Sequence, residues 1–476
     1  RIVQTANLAE DVRAGGGSSG VGRGTIAQVD LSGVAAANAV MLASSELKGA
    51  QLTLAGNEAR QVIATGGSAL ANSISFSDHQ LAGSAGDQGS VSGNRARNVQ
   101  AWGGEGSILG GALADVRVSA AALANSISVS RGELAAGPVH RLSGNEARDV
   151  VATGGGAAAN SLWLDNATVQ GGQVLLAGNA AEQVRTAGAS GSIGGGVVGA
   201  MERNGRALAN TVVADHQSTL DRATIAVSGN QGRSITGSGG LAAANTLMVT
   251  EGRVQGSTVT LAGNRADGVQ STGYAAQAGG GLLFPASQQS AALANTLAVT
   301  GSQLDASTLT VAGNTASRLN ARGGALMANS VALENGSGAP SQLSAAGTLS
   351  GNNASDIATT ADSVSGAGGL AGRESRARAA ANALVLHNGA LIDASSPWLI
   401  AGNTADDIRA TGSGAQALGV GTKSNGVLAA NGLYMDGSGA TALAQSTLQV
   451  VGNTARGLNA DGGRINANAL AINAQG

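Results

Sequence analysis

The dipeptide Gly-Asn returns down this chain at a steady beat, at Asn57, Asn94, Asn145, Asn179, Asn230, Asn264, Asn314, Asn352, Asn403 and Asn453, and Ala6-Asn7 opens the series as a degenerate copy. A second dipeptide, Ala-Asn, interleaves with it at Asn38, Asn72, Asn125, Asn160, Asn210, Asn245, Asn295, Asn329, Asn382, Asn431 and Asn468. Both series have eleven members. Repetition on this scale restricts the chain to a solenoid or an array, because a single unit cannot bury its apolar face and must stack on its neighbours.

Each unit has a fixed grammar. Apolar residues alternate up to Gly-Asn, as in Leu52-Thr-Leu54 or Leu309-Thr-Val311. Ala follows two residues past the Asn in every unit except at Gly232, and a Val, Ile or Leu follows five residues past it in all eleven, from Val12 and Val62 to Ile408 and Leu458. A Gly-rich turn leads to the Ala-Asn segment, which alternates as Leu293-Ala-Asn295-Thr-Leu297-Ala-Val299. Period-two alternation punctuated by Gly and Ser is a strand signature. The expectation is an all-β chain: one continuous parallel β-helix (β-solenoid) over residues 1–476, with about eleven coils of three strands. Two coils per unit is the rival reading. It is disfavoured because the two Asn contexts never interchange, so that like stacks on like only if each has its own face.

The Ala-Asn asparagines share the parity of Leu293, Leu297 and Val299, which places them on the inward face. A buried amide left without partners costs about 1–3 kcal/mol. In a parallel stack the partner is the same Asn one coil away, at about 4.8 Å. The eleven Ala-Asn residues are therefore expected to form a core ladder, each side chain donating one way and accepting the other.

The gap from each Gly-Asn to the next Ala-Asn runs 31, 15, 31, 15, 31, 15, 31, 15, 30, 28, 15. Alternate coils thus carry an insert at one corner, at Gly17–Ala35, Glu105–Ala121, Ser190–Arg206 and Tyr274–Ser290. Two readings stay open. The inserts form an ordered flange of edge-on hairpins, each spanning two strand levels, or they are independent surface loops.

Composition excludes several functions. Aromatic residues are 1%, charged residues 12% and the net charge is −2, with no basic face, so nucleic acid is not expected as a partner. No apolar run is long enough for a membrane span. Cysteine is absent, which fits an exported protein. No cofactor, metal or catalytic residue is expected. The four histidines, His79, His140, His216 and His387, fall in different units. The pairs Asp78-His79 and Asp215-His216 lie three coils apart, about 14 Å by strand spacing, too far to share a metal, and read as solvated turn residues. Asp406-Asp407 points its side chains to opposite faces of an extended segment. Trp102, Trp163 and Trp398 sit in separate units and make no sugar platform. The Thr258/Thr260 and Thr308/Thr310 pairs form a Thr lattice in a few units only.

The Leu-x-Leu-x-Gly-Asn and Ala-Asn-Ser/Thr-Leu rhythm resembles bacterial surface β-helix proteins, the autotransporter passengers and filamentous-haemagglutinin-type adhesins. The likeness runs the length of the chain as a texture. It implies an extracellular, right-handed parallel β-helix at the bacterial cell surface with adhesive or matrix roles, and it carries over no functional residue. The chain departs from autotransporters in lacking a C-terminal membrane barrel. It starts at Arg1 with a third-strand sequence and stops after a second strand, so its two ends nearly complete one coil when placed together. This gives the functional expectation: a non-enzymatic structural subunit that stacks head-to-tail with itself through open solenoid ends, for surface adhesion or biofilm matrix. The joint would lie at Ile2, Val3, Gln4, Leu470, Ala471 and Ile472, and cell or abiotic surfaces are further candidate partners. The alternative is a monomeric β-helical passenger or a fragment of a large surface adhesin.

Overall fold

The computed structural model describes residues 2–15, 34–43, 46–48, 51–77, 80–82, 88–102, 106–109, 113–115, 120–134, 139–187, 191–194, 198–200, 205–272, 290–305, 308–334, 341–361, 375–387, 391–392, 397–412, 424–437, 447–461 and 464–474. Among the described residues every regular element is a strand. Five long parallel sheets run the length of the chain. Sheet I begins with Ile2–Thr5 and ends with Leu448–Val451, and sheet II runs from Leu8–Gly15 to Thr454–Arg456 and Asn459–Asp461. Sheet III runs from Val34–Ala37 to Arg464–Ala467, sheet IV from Val40–Ala43 to Leu470–Ala474, and the shorter sheet V from Glu46–Lys48 to Leu391–Ile392. The chain visits I, II, III, IV and V in turn and then returns to I one level on. Each strand pairs in register with its counterpart in the next coil, Ile2 with Leu52, Leu8 with Glu58, Val34 with Ser68 and Val40 with Ile74. The fold is a parallel β-solenoid of about eleven coils, roughly 50 Å long at one strand spacing per coil.

The coil is divided more finely than the alternation alone suggests, into five strands and not three. Residues in the left-handed region of backbone space make the difference. Each Ala-Asn asparagine has φ between 48° and 54° and so turns a corner between sheets III and IV, where the sequence reading had it inside one strand. Asn tolerates this conformation better than most residues because its short polar side chain bonds locally. The corner also resets the inward–outward phase. Ala292 and Ala294 face the core before it, and Leu297 and Val299 after it. Leu293, read as inward, belongs to a separate apolar layer on the other side of sheet III, with Leu208, Val213 and Ala243.

A second left-handed residue explains the spacing of sheet II. The position four past each Gly-Asn has positive φ in all eleven coils, at Asp11, Gln61, Asn98, Asp149, Gln183, Ser234, Gly268, Arg318, Asp356, Asp407 and Gly457. In a plain strand, residues three apart face opposite ways. The bulge lets Ala59 and Val62 both face inward, and the ladder steps over it, pairing Arg97 with Arg148 and then Val99 with Val150.

The core has two compartments. Sheets I, IV and V enclose Leu, Ile and Val, among them Leu52, Ile74, Leu164, Ile225 and Leu304. Sheets II and III face each other across a thin layer made mostly of Ala, such as Ala59, Ala124, Ala207 and Ala294. Near-absence of aromatics follows from this slim section, which leaves little room for large rings.

The insert segments Gly17–Ala35, Glu105–Ala121, Ser190–Arg206 and Tyr274–Ser290 lie mostly outside the described residues. Two of them hold described strands of their own. Gly106–Leu109 pairs in parallel with Gly191–Gly194, and Leu113–Asp115 with Val198–Ala200. These strands bond between inserts and not as hairpins within one insert.

The inward row of sheet I shows how coils adjust to one another. Gly347 lies in register with Trp398, whose buried ring occupies the space a side chain at 347 would need. The indole Nε1 of Trp398 is buried with no hydrogen-bond partner. In the same way Gly89 makes room for the buried His140. Gly347→Leu alone should overpack the core and cost about 1–3 kcal/mol, and Trp398→Leu alone should leave a cavity. The double variant restores the ordinary aliphatic row and should be more stable than the sum of the two single changes by at least about 0.5 kcal/mol. Thermal melts of the four proteins check this, and strict additivity would contradict the packing described.

Candidate functional site

Two columns of asparagine amides run along the solenoid. The Ala-Asn column stands at the corner of sheets III and IV. Here each Nδ2 donates to Oδ1 of the next asparagine, from Asn38 to Asn72 at 3.1 Å, through Asn245 to Asn295 at 2.9 Å, to Asn431 on Asn468 at 3.0 Å. Every step between is made, through Asn125, Asn160, Asn210, Asn329 and Asn382. The second Nδ2 proton bonds a backbone carbonyl of sheet II one coil on, as from Asn295 to the Thr315 oxygen at 2.9 Å.

The Gly-Asn column, at the corner of sheets I and II, is a ladder as well, a role the sequence reading did not give it. The glycine takes the left-handed corner, with φ of 63° at Gly313, and leaves the asparagine free to turn inward. Asn264 is fully satisfied. Its Nδ2 donates to the Val227 oxygen at 2.7 Å and to Asn314 Oδ1 at 3.1 Å, and its Oδ1 accepts from the backbone N–H and the Nδ2 of Asn230 at 3.0 and 3.1 Å. A carboxamide has two donors and two acceptor sites, and this arrangement uses all four. The signal was in the sequence: Asn never varies in this series, although an ordinary strand end accepts many residues.

The amide-to-amide bonds all have one direction. In both columns Nδ2 donates toward the C-terminal coil and Oδ1 accepts from the N-terminal one. At the first coil the Oδ1 atoms of Asn7 and Asn38 accept from no ladder neighbour. Among the described residues no ladder amide follows Asn468, and the Nδ2 of Asn453 donates backward, to the Ile400 oxygen at 2.8 Å.

The two end faces also hold most of the exposed large apolar side chains. Ile2, Val3, Leu8, Val34 and Met41 line the first coil, and Val451, Ile465 and Leu470 the last, with Trp102 the sole other member of this class among the described residues. Leu8 is 62% exposed, Val34 50%, Ile465 45% and Leu470 53%. The expected joint residues fall on these faces, but in different sheets: Ile2, Val3 and Gln4 open sheet I, whereas Leu470, Ala471 and Ile472 close sheet IV. Gln4 takes the inward place that Leu54 holds one coil on, and its Oε1 is buried without a partner. The face is also wider than those six residues, because sheets II and III end there with Leu8 and Val34 at one end and Ile465 at the other.

The outer surface differs from side to side. The strands of sheet I carry a single charged residue, Arg141, whereas every strand of sheet II carries at least one. On sheet II, Glu146 faces Arg148 at 3.0 Å and Arg95 and Arg97 at 3.6 and 3.7 Å. Exposed pairs of this kind contribute little each. Farther along, Arg318 bonds Asp267 from the next coil. That hydrogen bond, opposed by burial and assisted by Ser317, holds the Asp267 carboxyl below the usual carboxylate range.

The residues of catalytic type remain dispersed. Asp78 and His79 lie outside the described residues. His216 is an exposed turn residue bonded to Asp165 of the preceding coil at 2.7 Å. Asp215, read as solvated, is instead buried and paired with Arg206, whose guanidinium lies 5.7 Å from the centre of the Trp163 ring. Trp163 packs across Gly156 at the outer corner of sheets III and IV, so this cluster seals a seam. Among the described residues no group of three or more His, Cys, Asp or Glu could hold a metal ion, and no helix is long and apolar enough to cross a membrane. Set against known protein families, curated proteins and solved structures, the chain matches none.

The ladder geometry makes a direct prediction. Asn264→Leu and Asn295→Leu each strand neighbouring amides and should destabilise the fold by about 1–3 kcal/mol, with a further loss at 295 because Leu strains at positive φ. Gln303→Ala, on the exposed face of sheet V, should stay within about 0.5 kcal/mol. Chemical denaturation of the three variants measures the difference; equal midpoints would remove the ladders from the account.

Proposed function

We propose that this protein is a non-catalytic structural element that stacks end to end with further copies of itself, forming an extracellular filament for surface adhesion or biofilm matrix. The observation that supports the reading is the parallel, in-register stacking of like coils, a pattern that a further coil of the same kind extends without change. Open strand edges offer unpaired backbone groups and are templates for another chain. An apolar side chain at an inward register position, such as Ile2, which matches the buried Leu52, adds about 1.5–3 kcal/mol when a neighbouring coil covers it fully. The extracellular, bacterial-surface setting rests on the resemblance in repeat texture and on the absence of cysteine. Cell or abiotic surfaces are the partners such a filament would meet along its sides.

Backbone geometry identifies donors that point off each end. The N–H at the Glu58 position donates to the preceding coil, so that of Leu8 points off the N-terminal face. The N–H at the Leu433 position donates to the following coil, so that of Leu470 points off the C-terminal face. Proline at either site removes one such donor at an edge where proline is tolerated. Analytical ultracentrifugation should show wild type growing into species of many subunits as concentration rises, and Leu8→Pro and Leu470→Pro growing far less with unchanged far-ultraviolet circular dichroism. A wild type that stays at one subunit across the concentration range would overturn the filament reading and favour the passenger of a large surface adhesin.

A further inference from the structure

We infer that the outer face of sheet II carries a binding site for the flat face of a neutral, β-linked sugar ring, built on Trp102 and flanked by Ile63 and Val151. The inference concerns what the side of the rod holds and goes beyond end-to-end stacking. Trp102 is 39% exposed, and an indole left in water forgoes more burial than a smaller side chain does. A single exposed apolar residue needs no explanation, but a cluster of them does. In the outward column that holds Ile63 and Val151, the other coils carry Arg, Gln, Thr or Asn, with Ala358 once. In the outward column of Trp102 they carry Gly, Ala, Ser, Thr, Arg or Asp. Gln100 stands in register between Ile63 and Val151, and Trp102 follows two residues later on the same face. Trp102 is thus the diagonal neighbour of both half-buried aliphatic residues, about 8 Å away by strand spacing and rise and within reach of a long aromatic side chain. The alternate residues Val62, Ala64, Val99, Ala101, Val150 and Ala152 face the core, which sets the three on the outside.

The chemistry of this island selects its occupant. It stands on a sheet surface and not in a cleft, so it meets a flat object. Its apolar centre is three side chains wide, and its rim is polar: Thr65 and Thr153 lie in register with Trp102 on either side, and the Gln100 amide lies between the aliphatic pair. A β-linked glucose or N-acetylglucosamine ring has the same plan. Its hydroxyls are equatorial, so each face presents C–H groups and the edge presents donors and acceptors. Electron-poor C–H groups sit well on the electron-rich face of an indole, and hydroxyl and carboxamide groups both donate and accept at the edge. Other partners fit less well. An extended peptide adds to an open sheet edge, whereas the strands of Ile63, Trp102 and Val151 are paired on both sides. A polyanion needs spare cations, whereas Arg60 is held by Glu58, and Arg148 by Glu146 and Glu182. Trp163 and Trp398 take no part. The platform is one indole completed by aliphatic side chains of the coils before and after it, and not a row of tryptophans.

The test titrates cellohexaose and chitohexaose, to millimolar concentration, into protein isotope-labelled at its three tryptophan indoles, with sorbitol as a control that has no ring face. Nuclear magnetic resonance resolves the indole N–H signals, and Trp102→Ala identifies the one that belongs to Trp102. The site predicts that this signal shifts saturably with at least one of the two sugars and not with sorbitol, while those of Trp163 and Trp398 stay in place. Trp102→Tyr should keep the binding in weakened form. Ile63→Ser combined with Val151→Ser should keep the Trp102 signal and weaken its response several-fold. All these changes lie on the outer face, and circular dichroism melts check that each variant folds as the wild type does. A Trp102 signal that neither sugar shifts saturably, or that moves equally in sorbitol, overturns the site. Sedimentation that slows on Trp102→Ala, without a saturable shift in the wild type, shows instead that the patch joins copies of the chain, and the sugar site is again overturned. One subunit suffices for the titration, so its failure leaves end-to-end stacking standing, and a wild type that never grows leaves the sugar site standing.

Discussion

Everything in this molecule is organised around a carboxamide that must not be left alone. An asparagine side chain taken out of water has two donors and two acceptor sites to fill, and each stacked coil supplies the partners for the one below. Asn264 fills all four from its own column and the adjoining backbone. The repeat has to keep each asparagine at the same level and corner in every coil, because one displaced amide leaves two neighbours unsatisfied. That requirement fixes register more strictly than the apolar rows could, since Leu, Ile and Val can exchange places within a stack at modest cost.

The corners that carry the amides also shape the cross-section. One left-handed residue at each corner, Asn itself between sheets III and IV and Gly between sheets I and II, bends the chain so that the two columns stand at the waist between the thin alanine compartment and the wider aliphatic one. The outer faces are then free to differ. Sheet II takes on the Arg, Asp and Glu residues and sheet I remains almost uncharged, a polarity of the rod's sides.

Much of this can be read in the sequence, and the failures have identifiable causes. The eleven-fold rhythm, the strand alternation and the inward Ala-Asn stack follow from spacing alone. The finer division of the coil does not, because alternation assumes an unbroken strand and the left-handed residues at Asn295 and Arg318 reset its phase. Plain alternation places Leu293 on the wrong face for that reason. The three-residue step from Ala59 to Val62 was visible, and it signalled a bulge. Asp215 looked like a turn residue beside His216; its burial depends on Arg206 from the start of sheet III, nine residues earlier in the chain, a pairing no local pattern encodes. The second ladder was hidden behind its glycine, whose turn chemistry seemed to account for the dipeptide by itself.

The most direct test of the account is hydrogen exchange of asparagine carboxamides, followed by nuclear magnetic resonance on protein labelled only at asparagine. Side-chain amides of the inner coils, from Asn94 to Asn403 in one column and from Asn72 to Asn431 in the other, should exchange orders of magnitude more slowly than the exposed Asn166 and Asn320. Their protection should vanish together on unfolding, as expected of groups that open only with the stack. Ladder carboxamides that exchange as fast as Asn320 in the folded protein would contradict the claim that the amide columns hold the coils in register.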